Sequence, residues 1–162
     1  MTIYFYSTRD NYGCFSNFST HGITLKGKWW PTSEHYFQAQ KFAGTEHEEQ
    51  VRLAKTPKQA AEMGRQRTRP LRADWEQVKD DLMREAVLEK FRTHLDIQAI
   101  LLSTSNQELV EATSSDYYWG CGTNGTGKNM LGKILVETRE KLRNFSSVVS
   151  DVASNEQPIS DA

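Results

Sequence analysis

Three polar residues with acid, amide and amine side chains recur at helical spacing in one short stretch of the sequence. Glu34, Gln38 and Lys41 stand at i, i+4 and i+7, so they fall on one face if the stretch is helical. A carboxylate, an amide and an ammonium together can bind a sugar hydroxyl, a ring heteroatom and a phosphate. The group also has aromatic neighbours, namely Trp29, Trp30, Tyr36, Phe37 and Phe42.

Glu34 would occupy the first turn of this helix, where the positive end of the helix favours an ionised carboxylate. An ionised carboxylate can stabilise an oxocarbenium-like transition state or align water in glycosidic cleavage. The alternative is an exposed helical stripe whose side-chain ladder contributes roughly a few tenths of a kcal/mol. The spacing alone leaves both interpretations open.

An arginine cluster follows, with four arginines in eight residues: Arg65, Arg67, Arg69 and Arg72. The planar guanidinium fork matches phosphate oxygens, and Pro70 indicates a loop in which several forks could converge. A solvated basic turn is an equally good interpretation. A general nucleic-acid interface is not favoured, because no second basic stretch matches this one.

A glycine-rich loop ends in the pattern G-x-x-x-x-G-K at residues 122–128. A P-loop requires Ser or Thr next, but Asn129 stands there, and the preceding residues do not resemble a buried strand. A nucleotide hydrolase is therefore not predicted. The loop could still bind an anion, since glycines allow backbone N–H groups to approach it and a helix beginning near Asn129 would add its positive end. Trp119 could stack on a base or could equally be a core residue.

Composition limits the remaining classes of protein. Twenty Lys and Arg oppose 21 Asp and Glu, and a net charge of −1 argues against coating nucleic acid or membrane by bulk electrostatics. The two cysteines favour a reduced, cytoplasmic chain, and no signal peptide or membrane span is expected. The histidines and cysteines lack metal-ligand spacing, and a thiol nucleophile formed by Cys121 and His35 is not favoured. Neither a metal nor a cofactor is predicted.

Periodicity predicts an α+β fold, a helix-rich single domain with a small β-sheet. Strands are expected at 2–7 and 23–30, the second with a turn at 26–28. Helices are expected at 32–42, 47–55, 57–64, 74–92, 95–102, 107–113 and from about 129 to 143. Gly64 is interpreted as a helix stop. The domain is predicted to span 1–144, and the Ser-, Asp- and Asn-rich segment 145–162 is expected to be a disordered tail.

Several segments, in order along residues 3–143, resemble the NADAR (YbiA-like) family. They are FYS at 5–7, FSNF at 15–18, WPTSEHYFQAQKF at 30–42, MGR at 63–65, Trp75, YWG at 118–120 and GKNMLG at 127–132. The resemblance implies an α+β fold in which the Glu34 helix and the Trp119 loop form one pocket. The chain departs from one branch of the family at Cys121, where members of that branch carry Asp, while Asp116 keeps the family's acidic residue.

The resemblance also implies N-glycosidase chemistry. One branch of the family hydrolyses phosphorylated ribosylamino-pyrimidine intermediates of riboflavin biosynthesis, and another removes ADP-ribose from modified guanine. The predicted function is therefore hydrolysis of the bond between a phosphorylated ribose and a nucleobase-like ring. The expected partner is such a small molecule, or ADP-ribosylated nucleic acid, with no membrane and no obligate protein partner. A non-catalytic ADP-ribose or NAD reader, or a structural adaptor, are the alternatives from other classes.

The predicted catalytic residues are Glu34, Lys41 and Asp116. Glu34 would orient water or stabilise positive charge at the anomeric carbon, and no cofactor is needed for that step. Lys41 would bind phosphate or ribose, and Asp116 would hydrogen-bond the sugar or base. The predicted substrate-binding residues supply stacking rings, hydrogen bonds and phosphate contacts: Asn17, Gln38, Arg65, Arg67, Trp75, Tyr118, Trp119, Gly120, Lys128 and Asn129.

Overall fold

The computed structural model describes residues 1–155, with side chains described up to Phe145. Its mixed α and β elements confirm the predicted class. The strands are β1 (Thr2–Phe5), β2 (Ile23–Leu25), β3 (Lys28–Trp30) and β4 (Glu108–Glu111). The helices are α1 (Ser33–Gln40), α2 (Glu46–Arg52), α3 (Pro57–Arg65), α4 (Trp75–Thr93), α5 (Leu95–Ser103) and α6 (Met130–Asn155), and a short 3-10 helix covers Gly13–Phe15.

The strands form two separate two-stranded sheets. β2 and β3 are antiparallel, with Ile23 opposite Trp30. Lys26 and Gly27 both adopt positive φ, 55° and 71°, the conformation that a tight two-residue hairpin requires. The predicted turn inside residues 23–30 is therefore confirmed.

β1 and β4 are parallel, with Phe5 opposite Glu111. The prediction of a helix at 107–113 was wrong. The apolar pair Leu109 and Val110 is too short to separate a buried strand from a helix by periodicity, and the strand's partner lies at the other end of the chain. Both residues are buried, as expected for a strand enclosed in a core.

α1 lies between the two hydrophobic clusters of the molecule. Phe37 joins the larger cluster, which includes residues of β1, α4, β4 and α6. Tyr36 and Ala39 join the smaller one, together with Trp30 and Phe42. Every residue of α1 is buried as a result, although its polar residues outnumber its apolar ones. The exposed-stripe interpretation of this helix is excluded.

α6 continues past its predicted end near Arg143 to Asn155. In the sequence, Val148, Val149 and Val152 continue the three- and four-residue spacing of Leu142 and Phe145, which extends a helical pattern through the expected tail. Residues 156–162 of that tail lie outside the described residues. Across residues 1–155, no helix is both long and apolar enough to span a bilayer.

Candidate active site

A cavity of about 640 Å³ lies along α1, from Glu34 to Lys41. Its wall combines α1 with the segment after β1, the C-terminal end of α3, the end of β4 and the loop that follows β4. Seven of the predicted site residues line it: Asn17, Glu34, Gln38, Lys41, Arg65, Asp116 and Trp119. Sequence reasoning did not identify two aromatic residues of this wall, Tyr6 and Phe18, which are 62% and 37% exposed.

The start of α1 is fixed by side-chain and backbone hydrogen bonds. The Thr32 hydroxyl accepts the N–H of His35 at 3.1 Å, which is an N-cap. The Asn17 carbonyl accepts the Glu34 N–H at 3.2 Å, and the Ser33 hydroxyl donates to Asn17 Oδ1 at 2.8 Å. Asn17 was predicted as a substrate ligand; the structure places it in the cavity wall and also gives it this anchoring role.

Glu34 is only 8% exposed, and Gln38 Nε2 donates a hydrogen bond of 2.7 Å to its Oε1. Burial raises the pKa of Glu34, and this is the largest influence on it. The Gln38 hydrogen bond and the charges of Lys41 and Arg65 act in the opposite direction and favour the carboxylate. The position of Glu34 in the first turn of α1 indicated only an influence that favours the carboxylate, whereas burial is the larger influence on its pKa.

Gln38 is held in place by the close approach of α3. A Cβ added at Gly64 would lie 1.9 Å from Gln38 Oε1, so any larger residue there would force the Gln38 amide to move. Gly64 lies within α3 rather than ending it, which corrects its interpretation as a helix stop. Gln38 Oε1 is buried and has no hydrogen-bond partner among the described residues. It is an acceptor that a ligand hydroxyl can satisfy.

Lys41 is 9% exposed and donates to the Gly64 carbonyl at 3.3 Å. Its ammonium also lies 5.7 Å from the centre of the Trp75 ring. Burial, followed by the nearby positive charge of Arg67, lowers the pKa of Lys41 to about 8, although Glu34 opposes the shift. Lys41 therefore remains charged at neutral pH but loses its proton at moderately alkaline pH.

The arginine cluster does not converge on the cavity. Arg65 lines it, whereas Arg67 donates to the Gly64 carbonyl at 3.3 Å and lies outside the wall. Arg69 hydrogen-bonds Gln50 at 2.5 Å, and Arg72 pairs with Asp74 at 2.6 Å. These two arginines make contacts within the protein. Arg65 is therefore the one arginine of the cluster that lines the cavity.

Trp119 and Asp116 belong to the loop after β4. Asp116 Oδ1 accepts the N–H groups of Tyr118 at 2.9 Å and Trp119 at 2.8 Å, which fixes the conformation of the loop. Trp119 packs edge-on against Phe37, with ring centres 5.1 Å apart, and is partly buried. The Trp119 indole and the Glu34 carboxyl thus line the same cavity, as the resemblance implied.

Two predicted stacking residues do not line the cavity. Trp75 is 6% exposed and packs in the core, its ring centre 5.1 Å from that of Phe37. Tyr118 donates its hydroxyl proton to Asp80 at 2.5 Å, and the Lys79 ammonium lies 3.9 Å from the centre of its ring. These contacts leave Trp119 as the predicted stacking residue that the cavity wall contains.

The glycine-rich loop is used for internal contacts. Asn129 Nδ2 donates to the Leu109 carbonyl at 2.8 Å, and Asn129 Oδ1 accepts the Glu111 N–H at 3.0 Å. A Cβ at Gly120 would lie 2.0 Å from the Thr113 methyl group and 3.1 Å from the Glu111 carbonyl oxygen, so this glycine allows the loop to approach the end of β4 closely. Lys128 is exposed, with its ammonium 5.4 Å from the Tyr118 ring centre. The cavity wall contains none of the three residues of this loop that were predicted to bind substrate, Gly120, Lys128 and Asn129. The side chain of Asn129 instead holds the end of β4.

Sequence reasoning missed Glu111, which lines the cavity at the end of β4. Burial raises its pKa to about 8, and the charges of Asp116 and Glu34 add to the shift. The wrong helix prediction at 107–113 concealed it, because the position of Glu111 depends on the pairing of β4 with β1. The cavity is thus lined by three acids, Glu34, Glu111 and Asp116. Among the described residues, no group of three or more His, Cys, Asp or Glu side chains could hold a metal ion.

Comparison with known proteins identifies the family. The NADAR domain matches residues 4–143. An N-glycosidase of Nostoc punctiforme is 52% identical over 151 residues, which cover 91% of this chain and 97% of that protein. The solution structure of Escherichia coli YbiA superposes with a TM-score of 0.83 at 51% identity, covering 90% of this chain and 86% of that one.

A maize chloroplastic riboflavin biosynthesis protein is 41% identical over 155 residues, which cover 86% of this chain but only 25% of that protein. The E. coli YbiA sequence is itself named an N-glycosidase. These names support the predicted enzyme class, a hydrolase acting on N-glycosyl compounds. The match of the domain, the sequence identities and the shared fold lead to one conclusion: this chain belongs to the NADAR family.

Proposed function

We propose that the protein hydrolyses the N-glycosidic bond of phosphorylated ribosylamino-pyrimidines of the kind formed in riboflavin biosynthesis. The observation that carries the proposal is the buried Glu34, which lines the cavity together with a buried cation, Lys41. The N-glycosidase names of two relatives and the riboflavin biosynthesis name of a third support the reaction and the substrate class.

The charges of the cavity favour one orientation of the bound substrate. Lys41 and Arg65 supply positive charge for the phosphate. Asp116 supplies a hydrogen-bond acceptor for a ring that carries amino groups, and the partly buried Trp119 offers a ring to stack against. Glu34 lies on the same helical face as Lys41, which supports a binding mode with the phosphate at Lys41 and the anomeric carbon beside Glu34.

Glu34 acts on the anomeric carbon as a carboxylate. As the C1′–N bond lengthens, positive charge develops on the ribose ring, and a nearby carboxylate stabilises it and aligns the attacking water. Gln38 donates to the Glu34 carboxylate and leaves its own Oε1 as an acceptor for a ribose hydroxyl. Burial strengthens these electrostatic interactions because water screens them less.

The alternative substrate, ADP-ribosylated guanine, requires charge compensation for a diphosphate. The arginine cluster would supply it only if several guanidinium groups met at the cavity, but Arg67 lies outside its wall and Arg72 pairs with Asp74. The geometry therefore favours a monophosphate. A non-catalytic reader would bind either ligand without releasing the sugar, and the N-glycosidase names of two relatives favour catalysis over it.

The test is to incubate the purified protein with each substrate class and identify the products by mass spectrometry. A ribosylamino-pyrimidine 5′-phosphate is expected to release ribose 5-phosphate and the free aminopyrimidine. An oligonucleotide carrying ADP-ribosylated guanine is expected to release far less ADP-ribose per unit time. Binding without release of either sugar would overturn the proposal and indicate a reader, and faster release of ADP-ribose would reverse the assignment of substrate.

A further inference from the structure

The backbone of Glu111 is held by hydrogen bonds on both sides of β4. Its N–H donates to Asn129 Oδ1 at 3.0 Å, and its carbonyl accepts the N–H groups of Thr113 and Cys121, both at 3.0 Å. β1 pairs with it on the other side, with Phe5 opposite. These contacts use the backbone of Glu111 and leave its carboxyl group to line the cavity.

The charged groups near Glu111 differ from those near Glu34. Burial raises the pKa of Glu34, but the Gln38 hydrogen bond and the positive charges of Lys41 and Arg65 oppose that shift and favour the carboxylate. Glu111 is near the negative charges of Asp116 and Glu34, and its pKa of about 8 keeps it protonated at neutral pH. Glycosidic cleavage uses two carboxyl groups with different roles, one that gives a proton and one that acts as a carboxylate.

The elements packed against β4 add no further charge to that balance. α6 meets the strand through the apolar Leu131, Ile134 and Leu135, which share a core cluster with Leu109. On the side of β1, the titratable group that also lines the cavity is the phenol of Tyr6. The charges that act on Glu111 are therefore those of Asp116, in the loop after β4, and of Glu34, on α1.

N-Glycoside hydrolysis needs a proton donor as well as a carboxylate, because an amine is a poor leaving group unless its nitrogen is protonated. We propose that Glu111 is this donor, and the proposal rests on the function proposed above. The electron pair of the C1′–N bond moves to nitrogen, which takes the proton of the Glu111 carboxyl. Water adds to C1′ and gives its proton to Glu34, and proton exchange with solvent restores both acids. The products are ribose 5-phosphate and the free amine.

The other acid in the loop after β4 is less suited to this step. Asp116 Oδ1 already accepts two backbone N–H groups, which hold the loop in its conformation. Lys41 is an ammonium at neutral pH, but it donates a hydrogen bond to the Gly64 carbonyl, and its position suits phosphate binding. Glu111 combines a fixed backbone, a carboxyl in the cavity and a proton to give.

The test compares two leaving groups in wild type and in Glu111→Gln. A ribosylamino-pyrimidine 5′-phosphate requires protonation of the leaving nitrogen, whereas a pyridinium ribose 5′-phosphate releases a neutral pyridine without it. Glu111→Gln is expected to lower kcat for the amine about 10²-fold and to change kcat for the pyridinium substrate less than about threefold. Equal losses on both substrates, or no loss on the amine, would overturn the proposal.

Further variants and a pH profile keep the result interpretable. Glu108→Gln changes an exposed glutamate of the same strand and is expected to match wild type on both substrates. Glu111→Asp keeps an acid and is expected to recover part of the loss. For the amine substrate, kcat of wild type is expected to fall above about pH 8, and this fall should vanish in Glu111→Gln; its persistence would contradict the proposal. A wild type inactive on both substrates refutes the proposed function itself.

Discussion

The α1 face and the glycine-rich loop both have residue types that suit phosphate and sugar binding, yet the structure uses them differently. Glu34, Gln38 and Lys41 are each less than 10% exposed and direct their polar groups along the cavity wall. In the loop, Asn129 hydrogen-bonds β4 and Lys128 is exposed outside the wall. One region binds the substrate in our proposal, and the other builds the strand end that carries Glu111.

The difference follows from how each region satisfies its backbone. A helix pairs its own N–H and C=O groups, so its side chains remain available for a ligand. A loop must find partners for its backbone and for that of the neighbouring strand, and the Asn129 side chain serves the strand. A polar side chain in a glycine-rich loop is therefore weak evidence of a binding site until its hydrogen bonds are accounted for.

The largest expected effect comes from removing the charge of Glu34 while keeping its shape. Glu34→Gln should lower kcat about 10³-fold, because the amide cannot stabilise positive charge at the anomeric carbon. KM should change little, since the phosphate contacts remain. Glu46→Gln, an exposed acid in the first turn of α2, is the matched control and should behave as wild type in steady-state assays. An active Glu34→Gln enzyme would remove the α1 face from the mechanism.

A smaller but still large effect is expected where α3 approaches α1. Gly64→Ala places a Cβ 1.9 Å from Gln38 Oε1, so the amide must shift away from Glu34. We expect kcat to fall about tenfold or more and the free energy of unfolding to fall by about 1–3 kcal/mol, measured by steady-state kinetics and denaturant titration. Glu62→Ala, at an exposed position of the same helix, should change neither quantity appreciably. Unchanged kinetics in Gly64→Ala would show that the position of Gln38 does not matter.

The role of Lys41 gives a prediction about pH. With its pKa lowered to about 8, Lys41 is charged below that pH and neutral above it. KM for a phosphorylated substrate should therefore rise above pH 8, by up to about tenfold per pH unit, and stay nearly constant from pH 6 to 7.5. Lys41→Arg should remove the alkaline rise, because guanidinium keeps its proton. A KM that is flat to pH 10 in wild type would contradict phosphate binding by Lys41.

The smallest effect is expected in the glycine-rich loop. Lys128→Ala removes an exposed charge whose described contact is with the Tyr118 ring, so KM and kcat should stay within about twofold of wild type. Initial rates across a range of substrate concentrations measure both constants. A tenfold rise in KM would place the phosphate at this loop and reverse the contrast between the two regions.

Local spacing predicted the part of the site that lies within one element. The Glu34 face could be found because its three residues share a helix, and the hairpin at Lys26 and Gly27 could be found because its turn chemistry is local. Glu111 could not, since its position depends on the pairing of β4 with β1, whose residues are more than 100 positions away. The sequence pattern of α4 was misleading in one respect. It predicts an amphipathic helix with exposed charges, yet Lys90 of this helix is only 1% exposed.

Lys90 illustrates the physical limit of such reasoning. Its ammonium donates to the Ser16 carbonyl at 2.9 Å, across 74 positions of sequence, and burial lowers its pKa to about 7. Ser16 precedes Asn17, which in turn holds the start of α1. No periodicity in the helix indicates which of its lysines will be enclosed, because the segment that covers Lys90 comes from a distant loop.

The most direct test of the account is a crystal structure of the protein with ribose 5-phosphate, the proposed product. We expect the phosphate within about 3 Å of Lys41 Nζ or the Arg65 guanidinium, and the anomeric carbon within about 4 Å of the Glu34 carboxyl. A phosphate bound at residues 122–128 beside Lys128, or a sugar whose anomeric carbon lies far from Glu34, would contradict the account.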